Sequence, residues 1–122
     1  MSIELVLPYP PTVNHYYRPG ERNGQRFLTE RAKDYRHAVS LIVSAARAKK
    51  RLKSRLALDV IVNCPDRRER DIDNLSKAVL DSLQAAGVFE RDSQIDYLCV
   101  QRGSPVKGGM VSVVVAELGA KP

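Results

Sequence analysis

No run of apolar residues in this chain approaches the roughly 18 that would cross a membrane. The first residues, Met1-Ser2-Ile3-Glu4, have neither the basic stretch nor the apolar stretch of an export signal, so a cytoplasmic protein is expected. Cysteine is scarce: Cys64 and Cys99 sit among apolar, β-branched neighbours, with no further Cys or His at zinc spacing. They are expected to be buried free thiols in a reducing compartment rather than a disulfide. His15 and His37 have no partner at metal-ligand or triad spacing, and neither is assigned a catalytic role. Gly-rich phosphate loops and Cys/His pairs are missing. No repeat, low-complexity tract or linker divides the chain, so residues 1–122 are read as one domain.

What is present suits a folded domain with a single core: 43% of the residues are apolar and 28% charged. The charge is uneven. Residues 1–55 hold 12 Lys and Arg against Glu4, Glu21, Glu30 and Asp34, whereas residues 56–122 hold 8 against 10 acids. A pI near 9.6 with one strongly basic half is the electrostatic footprint of a nucleic-acid binder, a weak signal by itself.

The pattern predicts a strand at Ile3–Leu7, stopped by Pro8, Pro10 and Pro11, which cannot donate to a sheet ladder. Residues 12–28 read as a loop with room for a short hairpin at Pro19-Gly20 and Asn23-Gly24. Thr29 can cap a helix to about Lys50, with Tyr35, Ala38, Val39, Ile42, Ala45 and Ala46 on its inner face. The run Arg47–Arg55 would follow as a basic end. Leu56–Cys64 reads as a strand, Asp73–Ala86 as a helix closed by Gly87, and Ile95–Arg102 with Met110–Leu118 as a glycine-linked hairpin. The order β-α-β-α-β-β predicts an α+β domain with helices packed on a mixed sheet.

One stretch carries more chemistry than a connection needs. Arg67, Arg68 and Arg70 precede Asp71-Ile72-Asp73-Asn74-Leu75-Ser76-Lys77. Gathered carboxylates repel unless a cation joins them, and hard ions such as Mg²⁺ prefer oxygen ligands. Guanidinium forks match phosphate. The plainer alternative is an Asp N-cap plus an Asp73–Lys77 ion pair one helical turn apart. A third candidate carboxylate, Asp92, lies beyond a helix roughly 21 Å long, and spacing alone does not return it to Asp71. On the helix, Asp73, Lys77, Asp81 and Gln84 are expected on the open face, opposite Leu75, Ala78, Val79, Ser82, Leu83 and Ala86.

Leu7-Pro8-Tyr9-Pro10-Pro11-Thr12-Val13-Asn14-His15-Tyr16-Tyr17-Arg18, the block Pro65 to Ala78, Asp92-Ser93-Gln94 and Lys107-Gly108-Gly109 together resemble the RusA family of Holliday-junction resolvases. The likeness runs nearly the full length, with Glu69 interrupting the arginine run. It implies a homodimeric, Mg²⁺-dependent endonuclease of recombination and repair that cuts four-way DNA junctions by paired symmetric nicks. It further implies Asp71, Asp73 and Asp92 as metal-binding catalytic carboxylates, brought together by the family fold, and Lys77 as the essential basic residue of catalysis. Arg67, Arg68, Arg70, Asn74, Asn14 and Tyr17 would contact or position DNA. Two rivals fit less well. A plain nucleic-acid-binding module needs no carboxylate cluster, and a nucleotidyltransferase would place Gly-Ser upstream of the Asp pair, whereas Gly103-Ser104 lies downstream.

Overall fold

Ser2–Pro8 (β1) alternates as a half-covered strand must: Ile3, Leu5 and Leu7 are buried while Ser2, Glu4 and Val6 face outward. The computed structural model describes residues 2–119. After β1 come a single-turn helix, Val13–Tyr16 (α1), and two short strands, Tyr17–Pro19 (β2) and Arg26–Leu28 (β3), paired as an antiparallel ribbon. Then follow Glu30–Ala45 (α2), Leu56–Asn63 (β4), Asp73–Ala85 (α3), a 3₁₀ turn at Asp92–Gln94, Ile95–Arg102 (β5) and Met110–Glu117 (β6).

The main sheet runs β1-β6-β4-β5, with β5 parallel to β4 and the other pairs antiparallel. It is the mixed sheet of an α+β domain, as the element order predicts. Alternate residues of β1, β4 and β6 meet Tyr35, Val39 and Val43 of α2 and Leu75, Val79 and Leu83 of α3 in one core. Both helices therefore cover the same face of the sheet, and the other face stays open.

The glycine-linked hairpin is corrected. β5 and β6 do not pair; they flank β4 on opposite sides. The connection crosses the end of β4, tied by the Gly103 amide to Val62 O, the Val106 amide to Cys64 O and the Asn63 side-chain amide to Ser104 O. β4 and β6 are the two most apolar strands, with Leu56, Leu58, Val60, Val62, Val111, Val113 and Val115 all buried, so they take the two interior places and leave β5 at an edge. Edge placement also leaves Cys99 only half-buried, whereas Cys64 is buried as expected; both are free thiols.

Thr29 does cap α2, its hydroxyl accepting from the Ala32 amide at 3.1 Å. The helix stops at Ala45 rather than near Lys50, because Arg47 turns to φ 56° and a Schellman motif closes, the Arg47 amide donating to Ser44 O and the Ala48 amide to Val43 O. Ala45 and Ala46 are exposed, and Ala32, Val43 and Ala48 take the buried positions instead. Gly87, at φ 86°, ends α3 by the same motif. The basic segment after Arg47 then packs along the Gly87 turn through Arg51 N–Gly87 O and Leu52 N–Val88 O bonds. It therefore lies at the end of α3 opposite Asp73.

Asp81 is not on the open face. Its carboxylate takes the Tyr16 hydroxyl of α1 and the Arg36 Nε of α2 (2.9 Å), and Ser82 Oγ lies 3.3 Å from the same phenol. Burial, and then the Asp81 hydrogen bond, push the Tyr16 hydroxyl up to about 12. This polar knot pins α1 to α2 and α3. Tyr16→Phe is expected to destabilise the fold by about 1–3 kcal/mol in urea unfolding, since it strips a partner from a part-buried carboxylate. An unchanged midpoint would show that the knot adds nothing.

Candidate active site

α3 begins at the acidic loop, and its start is unusual in being uncapped by a side chain. Ile72 is the N-cap, and the first amides bond instead to Asp71 O (3.3 Å) and Ile72 O (3.1 Å). Ile72 packs half-buried against the core and anchors the loop, while Asp71 and Asp73 on either side of it are exposed. Neither carboxylate is used for capping, and among the described residues Lys77 makes no ion pair with Asp73. The plainer alternative for the cluster fails on both counts.

Lys77 pairs instead with Asp92, Nζ to Oδ2 at 3.6 Å. Asp92 returns alongside α3 because its turn is held from two directions. Its amide donates to Gln84 Oε1 at 2.9 Å. Gln94, nearly buried, accepts from the Arg91 amide at 2.7 Å and donates to Leu52 O and Ser54 O, each at 2.8 Å. Arg55 clamps Asp96 and the Ser93 carbonyl beside it. Gln84 is marked in the sequence only as a residue of the open helix face and Arg55 only as part of a basic run, whereas Gln94 lies in the Asp92-Ser93-Gln94 block that resembles the RusA family.

Asp92 Oδ1 is buried and has no hydrogen-bond partner among the described residues. A buried carboxylate oxygen left in that state costs free energy unless a cation or donor meets it. Together with two uncommitted aspartates at the start of α3, the donor set is all carboxylate oxygen, which fits a hard divalent ion and no soft one. Among the described residues no three His, Cys, Asp or Glu side chains already stand together as a closed ion-holding group. Lys77 rises about 6 Å along α3 from Asp73 and spans the interval to Asp92.

The arginine loop is partly self-neutralised. Arg70 Nη1 meets Asp66 Oδ1 at 2.6 Å, and Arg68 Nε lies 3.3 Å from Asp66 Oδ2. The Arg70 hydrogen bond, with the Arg68 amide, holds the Asp66 carboxyl well below the usual carboxylate range. A depressed value keeps this clamp in place at every pH above that range and releases it only as pH falls through the lowered value. Arg67 has no ion-pair partner among the described residues. The loop walls a pocket of about 320 Å³ whose floor is Cys64, with Arg102 bridging Cys64 Sγ and Arg70 O. Burial, and then the Cys64 hydrogen bond, push the Tyr9 hydroxyl up to about 12. A larger open groove, about 850 Å³, runs from Arg68 and Arg70 past Tyr9 to Thr12, His15 and Arg31. Arg31 and Arg102 thus join the basic lining without any sequence signal beyond their charge. Asn14 is exposed on α1, Asn74 is half-buried in the first turn of α3, and Tyr17 packs edge-on against Tyr16, 5.0 Å between centroids.

Residues 8–116 match the family model described as Endodeoxyribonuclease RusA. The chain belongs to the RusA endodeoxyribonuclease family. Relatives of RusA type include a crossover junction endodeoxyribonuclease of Enterobacteria phage HK97, 41% identical over 94% of each chain. Those of Shigella sonnei and Escherichia coli K12 are each 36% identical over 97% of each chain. The matched span contains every residue singled out for the RusA site, from Asn14 to Asp92. No helix among the described residues is long and apolar enough to cross a membrane.

Removing charge at Arg67 is expected to weaken DNA binding and to shallow its salt slope by about one unit for each phosphate no longer neutralised. Arg68→Ala and Arg70→Ala should do the same, and each also removes one of the two arginine partners of Asp66. The slope of log K against log salt is the measurement. If it is unchanged for all three, the loop does not touch phosphate.

Proposed function

We propose that this protein is a Mg²⁺-dependent endodeoxyribonuclease that resolves four-way DNA junctions by paired, symmetric nicks, acting in the cytoplasm in recombination and repair. The observation that carries this reading is the Lys77–Asp92 pair with its unpartnered buried Oδ1, on the same helix whose start carries the uncapped Asp71 and Asp73. Asp71, Asp73 and Asp92 are the residues that would hold the ion, whose chemistry is to polarise a scissile phosphate and acidify a bound water. Lys77 places a fixed positive charge where negative charge grows on the reacting phosphate, a contribution that is larger in the transition state than in the ground state. Arg67, Arg68, Arg70 and Asn74 orient the strand entering the site, and Asn14 and Tyr17 support it from α1 and β2. The expected products are a 5′-phosphate and a 3′-hydroxyl.

A junction has near two-fold symmetry, so the working form is a C2 homodimer with one site for each of two opposed strands. The open face of the main sheet supports this. Val6, Ile61 and Tyr97 are exposed there, at 58%, 39% and 53%. A four-stranded sheet normally has both faces covered or one wetted by polar residues, and this face is mixed. The deciding assay offers purified protein a synthetic four-way junction and a linear duplex, with Mg²⁺ or with EDTA. Paired junction nicks that a DNA ligase reseals, seen only with Mg²⁺, are expected; equal cutting of linear duplex would sink the junction-specific reading.

A further inference from the structure

The β2–β3 ribbon is unaccounted for by the carboxylate site. It carries Arg18, Arg22 and Arg26 against the single acid Glu21, and all three arginines are exposed. Two of them do not wave freely. The Arg18 guanidinium lies 5.0 Å over the Phe27 ring, and that of Arg26 lies 4.3 Å over Tyr17. Directly opposed residues of an antiparallel pair share a face, and Arg18 opposes Phe27 while Tyr17 opposes Leu28 and Pro19 opposes Arg26. Each face of the ribbon therefore presents one guanidinium stacked on one aromatic ring. Phe27 is 41% exposed, too much for a ring that only fills a core.

The ribbon is also fixed in place. Tyr17 and Leu28 pack on the buried Tyr16, Ala32 and Ala78, and Ala78 is the neighbour of Lys77. The Thr29 hydroxyl donates to His15 O at 2.5 Å, and the Thr29 amide donates to Tyr16 O at 3.1 Å. The tip is closed by the Gly20 amide to Gln25 O and by Gly24 at φ 79°. Open clefts flank it on both sides, one lined by Arg18, Arg22 and Phe27, the other by Asn14, Tyr17 and Arg26.

We propose that this ribbon is a second DNA-contacting element that takes the bases left without a full stacking partner at the branch of the junction. Linear duplex offers no such bases, since every interior base is stacked on both sides. A guanidinium already held flat over a ring presents its outer face to a base plane and its edge to phosphate, with little side-chain freedom left to lose. Packing of Tyr17 and Leu28 against the cluster that holds Ala78 fixes the ribbon to the body that carries α3. The inference deepens the junction-resolving reading and rests on it.

The test measures affinity by fluorescence anisotropy in EDTA, using a labelled four-way junction and a linear duplex of equal arm length. Phe27→Ala keeps every charge and removes one platform; it is expected to weaken junction binding about tenfold while duplex binding changes far less. Phe27→Tyr, which keeps the ring, is expected to restore the wild-type ratio and so excludes a folding defect. Arg18→Lys, which keeps charge but removes the stack, should fall with Phe27→Ala. Unchanged affinities, or equal losses on junction and duplex, overturn the proposal. Wild-type cleavage of the same junction with Mg²⁺ separates the two failures. Its absence sinks the nuclease reading, and its presence with an unaltered Phe27→Ala ratio sinks the ribbon alone.

Discussion

Asp73→Asn, and equally Asp71→Asn or Asp92→Asn, is expected to abolish junction cleavage while junction binding persists or tightens. The amide keeps the shape of the side chain and removes its charge. Losing one electrostatic group at a reacting centre costs roughly 10²–10³ in rate, and in the proposed role the loss of an ion ligand would add to that, so at least about a thousandfold is expected. Binding moves the other way, because each change removes a negative charge from the path of a polyanion. The three variants are not equivalent. Asp71 and Asp73 are exposed and engaged in no side-chain cap, so their replacement disturbs little else. Asp92→Asn also releases Lys77 from its only ion-pair partner among the described residues and should lose the most. Single-turnover cleavage of labelled junction in Mg²⁺, beside gel-shift affinity in EDTA, provides the measurement. Wild-type rate in any one variant would remove that residue from the site.

Mixed dimers of wild-type and Asp73→Asn subunits are expected to nick one strand of a junction and stop. A single chain offers one set of Asp71, Asp73, Lys77 and Asp92, whereas resolution needs two opposed cuts within the lifetime of one complex. Two copies related by a two-fold axis supply both, and an interface of obligate type is expected to be largely apolar. The open sheet face carrying Val6, Ile61 and Tyr97 is one apolar surface such an interface could cover. Wild-type dimers should convert nicked junction to two duplexes without release, and the mixed population should accumulate singly nicked junction. A stable monomer by sedimentation that still makes both cuts in one binding event would sink the dimer.

How far the residues themselves carry the fold depends on whether the deciding interaction is local. Helix caps and ends are local. Thr29 before α2 and Gly87 after α3 are legible because the bond partners lie within a few residues. Arg47 is not, since a left-handed arginine has no compositional mark and the run Arg47–Arg55 looks like a continuing helix end. Strand pairing is non-local. Two strands joined through glycines read as a hairpin, yet β6 pairs with β1 and β4, because the two most apolar strands, β4 and β6, lie together inside the sheet. Asp81 follows the same rule. Helical periodicity places it opposite the buried side, but α1 and α2 pack there and bring Tyr16 and Arg36 to it.

The candidate site divides along the same line. The sequence by itself determined the family, through blocks of residues whose order needs no third dimension. It also determined the α+β class, through the succession of periods, and it marked Arg67, Arg68 and Arg70 as charges suited to phosphate. Only the tertiary structure decided which of those charges are free and which are already engaged. It took Lys77 from Asp73 to Asp92, committed Arg68 and Arg70 to Asp66 and Arg55 to Asp96, and stacked Arg18 and Arg26 on rings. The physical reason is the reach of charge. A long side chain pairs with whatever opposite charge the packed backbone brings within about 4 Å, and the sequence distance between the partners does not enter.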